Sequence, residues 1–195
     1  MRARLAALLL TGLAACTPVG VAVGVGAAGG IAATQERGFG AAVDDARIRI
    51  EINHYWFQYS EELYRKVGLQ VHEGRVLLTG VVGEPAMRAD AVRLARQAEG
   101  VREVIDEIEV AEAGGLADAA RDGWISRRLG AKLTFDREIR SINYSVAAAG
   151  GVVYLIGVAQ DEAELQRVID HARDIPYVRR VVSHVRVKNA PASAP

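Results

Sequence analysis

The 195-residue chain contains a single cysteine, Cys16, so no intrachain disulfide can hold it together. It also has no excess of charge. Its 24 Lys and Arg balance 24 Asp and Glu, which gives no reason to expect a nucleic-acid-binding protein. No Gly-x-Ser-x-Gly elbow is present. The four histidines, His54, His72, His171 and His184, lack the spacing of metal ligands. Carboxylates are numerous, but they alternate with arginines as on solvated helix faces. These absences argue against an enzyme and give no reason to expect a metal or other cofactor. The length allows one ordinary domain or two small ones, each with a modest core.

What is present starts at the N-terminus. Arg2 and Arg4 precede an apolar run, Leu5 to Leu13, and then Ala14-Ala15-Cys16. A basic stretch, a short apolar stretch and small residues before a cleavage point make a secretory signal over residues 1–15. The run is too short to span a bilayer, which takes about 20 residues. Leu13-Ala14-Ala15-Cys16 resembles the lipobox of bacterial lipoproteins. That resemblance implies diacylglycerol transfer to the Cys16 thiol, cleavage before it, and palmitate-type acyl chains on the mature N-terminus. Each buried CH₂ of such chains contributes about 0.8 kcal/mol, so two or more make a durable anchor. Thr17, rather than the Asp that retains such proteins at the inner membrane of enteric bacteria, implies the outer membrane. Residues 16–44 then read as a lipidated Gly/Ala-rich tether, and Asp44-Asp45 as a helix start.

An internal repeat carries the fold. Residues 74–110 align without gaps on 151–187 at an offset of 77, with 12 of 37 pairs identical. Gly74-Arg-Val-Leu-Leu-Thr-Gly80-Val81 lies over Gly151-Val-Val-Tyr-Leu-Ile-Gly157-Val158, and Val101-Arg102-Glu-Val104 over Val178-Arg179-Arg-Val181. In each copy apolar residues four apart predict a first helix: Ile48, Ile52 and Trp56 over about 45–59, then Ile125, Leu129 and Leu133 over about 122–134. Period-two alternation predicts strands near Val67–Val71 and Ile142–Val146. Gly-containing turns at Glu73-Gly74 and Ala149-Gly150-Gly151 close hairpins onto Val76–Thr79 and Val152–Ile156. Gly74 and Gly151 are expected to serve the turn, and Gly80 and Gly157 to end a strand. Second helices follow at about 84–98 and 161–174, and last strands at about 103–110 and 179–187. The prediction is α+β: two tandem αββαβ modules, at 45–112 and 121–188, each a three-stranded sheet covered by two helices. A linker at 113–120 and a disordered tail at 189–195 complete the chain.

This pattern resembles the BON domain, a module of envelope and osmotically inducible bacterial proteins. The hallmark is Gly74, Val76, Leu78, Gly80 and Val82 followed by Val101 and Val104; the second copy has Gly151, Val153, Leu155, Gly157, Val178 and Val181, with Ala159 in place of the last Val. With Cys16, Val43-Asp44-Asp45 and Asp122-Gly-Trp124-Ile125, the layout is similar to the dual-BON outer-membrane lipoproteins. The resemblance implies a non-enzymatic, periplasm-facing protein that binds anionic phospholipid of the phosphatidylglycerol or cardiolipin type and supports outer-membrane integrity. An adaptor docking on an envelope protein partner is the alternative.

The residues indicate where such binding would sit. Residues 46–111 carry 9 basic and 11 acidic side chains, whereas 121–188 carry 12 and 8. Within 121–140 the balance is +3, from Arg121, Arg127, Arg128, Lys132, Arg137 and Arg140 against Asp122, Asp136 and Glu138. A basic amphipathic helix rests on anionic lipid at roughly 1 kcal/mol per basic residue near the headgroups. Trp124 at its start and Phe135 at its end suit the headgroup level. The candidate site is therefore Trp124, Arg127, Arg128, Lys132 and Phe135. Just past the helix, Thr134-Phe135-Asp136-Arg137 departs from the apolar stretch of the relatives. In the first copy Tyr55, Phe57 and Tyr59 point away from the buried stripe and are expected to pack against the other module, with a partner patch as the alternative.

Overall fold

The computed structural model describes residues 38–112 and 114–188. Cys16, most of the tether and the C-terminal tail lie outside these residues. The first module comprises α1 (Gly38–Tyr59), α2 (Glu61–Lys66), β1 (Val67–His72), β2 (Arg75–Val82), α3 (Pro85–Ala95) and β3 (Glu103–Val110). The second comprises α4 (Leu116–Phe135), a 3₁₀ turn at Ser141–Asn143, β4 (Tyr144–Ala149), β5 (Val152–Ala159), α5 (Glu162–Arg173) and β6 (Arg180–Val187). In each sheet the middle strand runs antiparallel to the strand before it and parallel to the strand after it. Two α+β modules are thus present, as the repeat predicts.

The residues spaced by four do bury. Ile48, Ile52 and Trp56 of α1 enter one core with Val76, Leu78 and Ala91; Ile125, Leu129 and Leu133 of α4 enter a second with Val153, Leu155 and Val168. Each buried side chain of this size contributes roughly 1.5–3 kcal/mol. Trp56 also donates its indole N–H to the Ala91 carbonyl at 3.2 Å, which ties α1 to α3.

The boundaries differ from expectation in instructive ways. α1 begins at Gly38 and α4 at Leu116, so residues read as tether and linker form their first turns. In α4 these turns are Leu116-Ala-Asp-Ala-Ala-Arg121, made largely of strong helix formers. Asp45 does not start a helix. It is buried within one, and its carboxylate accepts the Glu73 and Gly74 N–H groups, both at 2.8 Å. Asp122, 77 residues on, accepts those of Gly150 and Gly151 at the same distance. Gly80 and Gly157 lie inside β2 and β5, paired with the first residues of β1 and β4, rather than at strand ends. A Cβ there would come within 2.4 Å of the Lys66 carbonyl oxygen and 2.0 Å of that of Asn143, so only glycine lets the chain cross. Ile142 belongs to the 3₁₀ turn, and β4 starts two residues later.

The helices cover only one face of each sheet. Alternation along the central strands sends Leu77 of β2, and Val152, Tyr154 and Ile156 of β5, to the opposite faces. There they form a third buried cluster, joined by Ile105, Ala147, Ala149 and Val182. The sheets therefore pack face to face, and the layers run helix, sheet, sheet, helix. Polar contacts surround this layer: His184 Nε2 lies 2.9 Å from Glu107 Oε1, Arg75 donates to the His184 carbonyl at 2.9 Å, and Arg186 pairs with Glu73. Glu107 and His184 are equivalent positions of the two copies. The partners of Glu73 and Arg186 under the same offset, Gly150 and Glu109, are also neighbours: a Cβ on Gly150 would sit 3.8 Å from Glu109 Oε2. Such reciprocal pairs describe a local twofold between the modules.

The sheets, not the α1 aromatics, make the inter-module contact. Tyr55 packs on its own core and donates to Glu51 at 2.6 Å. Tyr59 donates to Asp90 at 2.7 Å with the Arg93 guanidinium 5.4 Å from its ring. Phe57 meets Tyr64 edge-on at 5.7 Å and remains exposed. A solvated helix face cannot reach a partner bound on the far side of the sheet, so the expected packing of these three on the second module is overturned.

Candidate functional site

The outer face of α4 is the most distinctive surface of the second module. Ile125, Leu129 and Leu133 hold the inner face in the core. Arg121, Trp124, Arg128, Ala131 and Phe135 follow one another by three or four residues and share one outward stripe. Trp124 is 38% exposed and Phe135 85%. Because α4 begins at Leu116, Trp124 sits in its third turn rather than at its head, roughly 16 Å along the axis from Phe135.

Two guanidiniums flank the indole and its neighbour. Arg128 lies 5.4 Å from the Trp124 ring centroid. Tyr177, from the turn between α5 and β6, meets Trp124 edge-on with centroids 6.2 Å apart, and Arg121 lies 5.4 Å from the Tyr177 ring. Both distances suit cation–π attraction, worth about 0.5–1 kcal/mol at exposed sites. Arg121 is also held by Asp118 at 2.6 Å. Arg127 is exposed beside this stripe. Lys132 points toward α5, its Nζ 3.7 Å from Asp174 Oδ2, so its charge is partly balanced within the protein.

The end of α4 is firmly fixed. Asp136 closes the helix, accepts the Glu138 N–H at 2.9 Å and faces His171 Nε2 at 2.7 Å. The His171 hydrogen bond first, then that of Glu138, hold its carboxyl below the usual carboxylate range. This polar lock leaves Phe135 as the single large apolar side chain projecting at that end of the helix.

Three of the five expected site residues, Trp124, Arg128 and Phe135, thus share the outward stripe; Arg127 is exposed beside it, and Lys132 is drawn aside. Sequence patterning missed Tyr177, because it lies on another element far along the chain. One signal was nevertheless available: the repeat puts Tyr177 over Gly100, a tyrosine where the first copy has a turn glycine.

A cleft of about 910 Å³ lies between the modules, with Arg65, Lys66, Arg121 and Arg179 among its lining residues and Glu109, Glu112, Asp118 and Asp122 opposing them in equal number. That balance gives it no preference for an anion. Among the described residues no cluster of His, Cys, Asp and Glu is placed to hold a metal ion. No described helix is long and apolar enough to cross a membrane.

The BON domain family matches the chain twice, over residues 62–112 and 121–189. The chain belongs to the BON-domain family. Each match covers the hairpin, the following helix and the last strand of one module, and the second also takes in most of α4. Among similar curated proteins, an uncharacterized protein in the gshII 5′ region of Anaplasma centrale is 41% identical over 149 residues, spanning 76% of this chain and 97% of that protein. The outer membrane lipoprotein DolP of Haemophilus influenzae is 28% identical over 166 residues, 84% of this chain and 85% of that one. Osmotically-inducible protein Y of Escherichia coli is 26% identical over 151 residues, 76% and 75% of the two chains. The alignments span most of each protein.

Proposed function

We propose that this BON-domain chain is a non-enzymatic envelope protein, held at the outer membrane through a lipid on Cys16 and facing the periplasm, whose second module binds anionic phospholipid and so supports outer-membrane integrity. The observation that carries the lipid-binding reading is the outward stripe of α4, where exposed Trp124 and Phe135 stand with Arg128, and Arg127 lies exposed beside them. An indole at headgroup depth beside cationic side chains suits a negatively charged lipid surface. The similarity to an outer membrane lipoprotein over most of both chains supports the location, and Cys16 at the end of Leu13-Ala14-Ala15-Cys16 supports the anchor.

Vesicle binding of the folded protein tests the site. Vesicles containing phosphatidylglycerol or cardiolipin should bind and shift Trp124 emission to the blue, while Trp56, sealed in the first core, should not respond. Binding should weaken as salt rises, since exposed charges are screened. Trp124→Glu, and Arg127→Glu with Arg128→Glu, should weaken it strongly; Arg47→Glu with Arg49→Glu in α1 should matter much less. Equal loss from both arginine pairs, or intact binding by Trp124→Glu, would sink the assignment. Mass spectrometry of the membrane-extracted protein tests the anchor: an acylated N-terminal Cys16 is expected, and a free thiol at a different mature terminus rules it out.

A specific observation favours a second reading. Val43, Ile50 and Phe57 are exposed on α1 at seven-residue spacing, on the layer opposite α4. An adaptor would use such a face, and would show no preference for anionic over zwitterionic vesicles.

A further inference from the structure

Tyr177 occupies a backbone conformation that tyrosine rarely adopts. Ile175, Pro176, Tyr177 and Val178 form a tight turn in which the Val178 N–H reaches the Ile175 carbonyl at 3.2 Å, and Tyr177 has φ +73°. In the first module the equivalent turn is Ala98, Glu99, Gly100 and Val101, with the same N–H to carbonyl bond at 3.4 Å and Gly100 at φ +89°. Glycine is the natural occupant of this third turn position. The second module therefore holds a large aromatic where its own duplicate shows that a glycine suffices.

One other non-glycine residue among those described has positive φ: Glu73, at +52°, opposite Gly150 of the second copy at +56°. Its side chain has a use, the ion pair with Arg186 across the module boundary. Tyr177 joins no core. It is 66% exposed, and its ring meets Trp124 and the Arg121 guanidinium on the outer face of α4. Strained side chains persist where something else requires them, and here the fold does not.

We infer that Tyr177 is the second ring of the membrane-contacting surface: with Trp124 it forms an aromatic wedge beside Arg128, which takes the phosphodiester of a neighbouring lipid. The inference rests on the lipid-binding reading of α4. The turn holds Tyr177 against α4 from outside the helix, edge-on to an indole that stays 38% exposed.

The test uses Tyr177→Gly, which restores the residue found in the first module. Its melting midpoint should equal or exceed that of the wild type, because the turn is relieved. Its apparent affinity for phosphatidylglycerol-containing vesicles should nevertheless fall roughly three- to tenfold, the scale of losing one packed aromatic partner. Tyr177→Phe should retain binding, since the ring is kept. If Tyr177→Gly fails to fold, Tyr177→Asn, which also tolerates positive φ, takes its place with the same expected outcomes. Wild-type affinity in the folded variant while Trp124→Glu loses binding overturns the role of Tyr177 and leaves the lipid reading standing. Intact binding in both variants, or no binding by the wild type, overturns the lipid reading and this inference together.

Discussion

Asp45 and Asp122 show how much one side chain can organise in this fold. Each sits on the first long helix of its module and takes two backbone N–H groups from the hairpin turn, four hydrogen bonds at 2.8 Å in all. The turn closes the two strands that carry the core, so the aspartate joins helix and sheet before any apolar contact is counted. Removing it strands two turn N–H groups, that of Gly74 buried, at about 1–3 kcal/mol for each unsatisfied group. Asp45→Ala should therefore cost roughly 2–4 kcal/mol in urea unfolding, and Asp122→Ala a comparable amount from its half-buried turn. A loss below about 0.5 kcal/mol, the scale of ordinary surface substitutions, would show that the turn stands without the aspartate. These residues were visible in the sequence as Val43-Asp44-Asp45 and as Asp122 before Trp124, but their role was not. Composition shows an acid near a helix start; only the folded chain shows that its partners lie 28 and 29 residues away.

At the scale of elements, legibility followed burial. The strands, the two cores and the inward stripes of α1 and α4 could be read because burial imposes a period, and the 77-residue offset repeated that period twice. What could not be read was set by solvent-facing or local forces. The first turns of α4 carry no apolar stripe, so they resembled a linker although their propensity is high. α2 is six residues long, too short for periodicity, and is defined by Ser60 accepting the Leu63 N–H with Glu61 and Glu62 in its first turn. The candidate site was half legible for the same reason. Trp124, Arg127, Arg128 and Phe135 could be found by stepping along one helix, whereas Tyr177 arrives from another element and Lys132 leaves the set through a contact with Asp174. The unbroken apolar run Val152–Ile156 was also a signal, since a strand buried on both faces needs no alternation; the cover on its second face is the other module.

For the whole molecule, the layer between the sheets sets the behaviour. Leu77, Val152, Tyr154 and Ile156 are almost fully buried only because the modules meet. Leu77→Asp places a charge in that layer while leaving both helix-covered cores intact. It should split a single cooperative unfolding transition into two and raise the radius of gyration in small-angle scattering; an unchanged single transition would show that the modules do not depend on this face. The same layer places the outer surfaces of α1 and α4 on opposite sides, so a molecule lying on lipid through α4 presents α1 to whatever is beyond. The contact between Glu107 and His184 has a consequence for ancestry. An ancestor with one module, paired with its own copy about this axis, would have set identical residues against each other here, two carboxylates or two imidazoles. A complementary Glu and His became available only after duplication, when each copy could mutate without the other. The unlike pair on this axis therefore marks a step that a single module pairing with its own copy could not take.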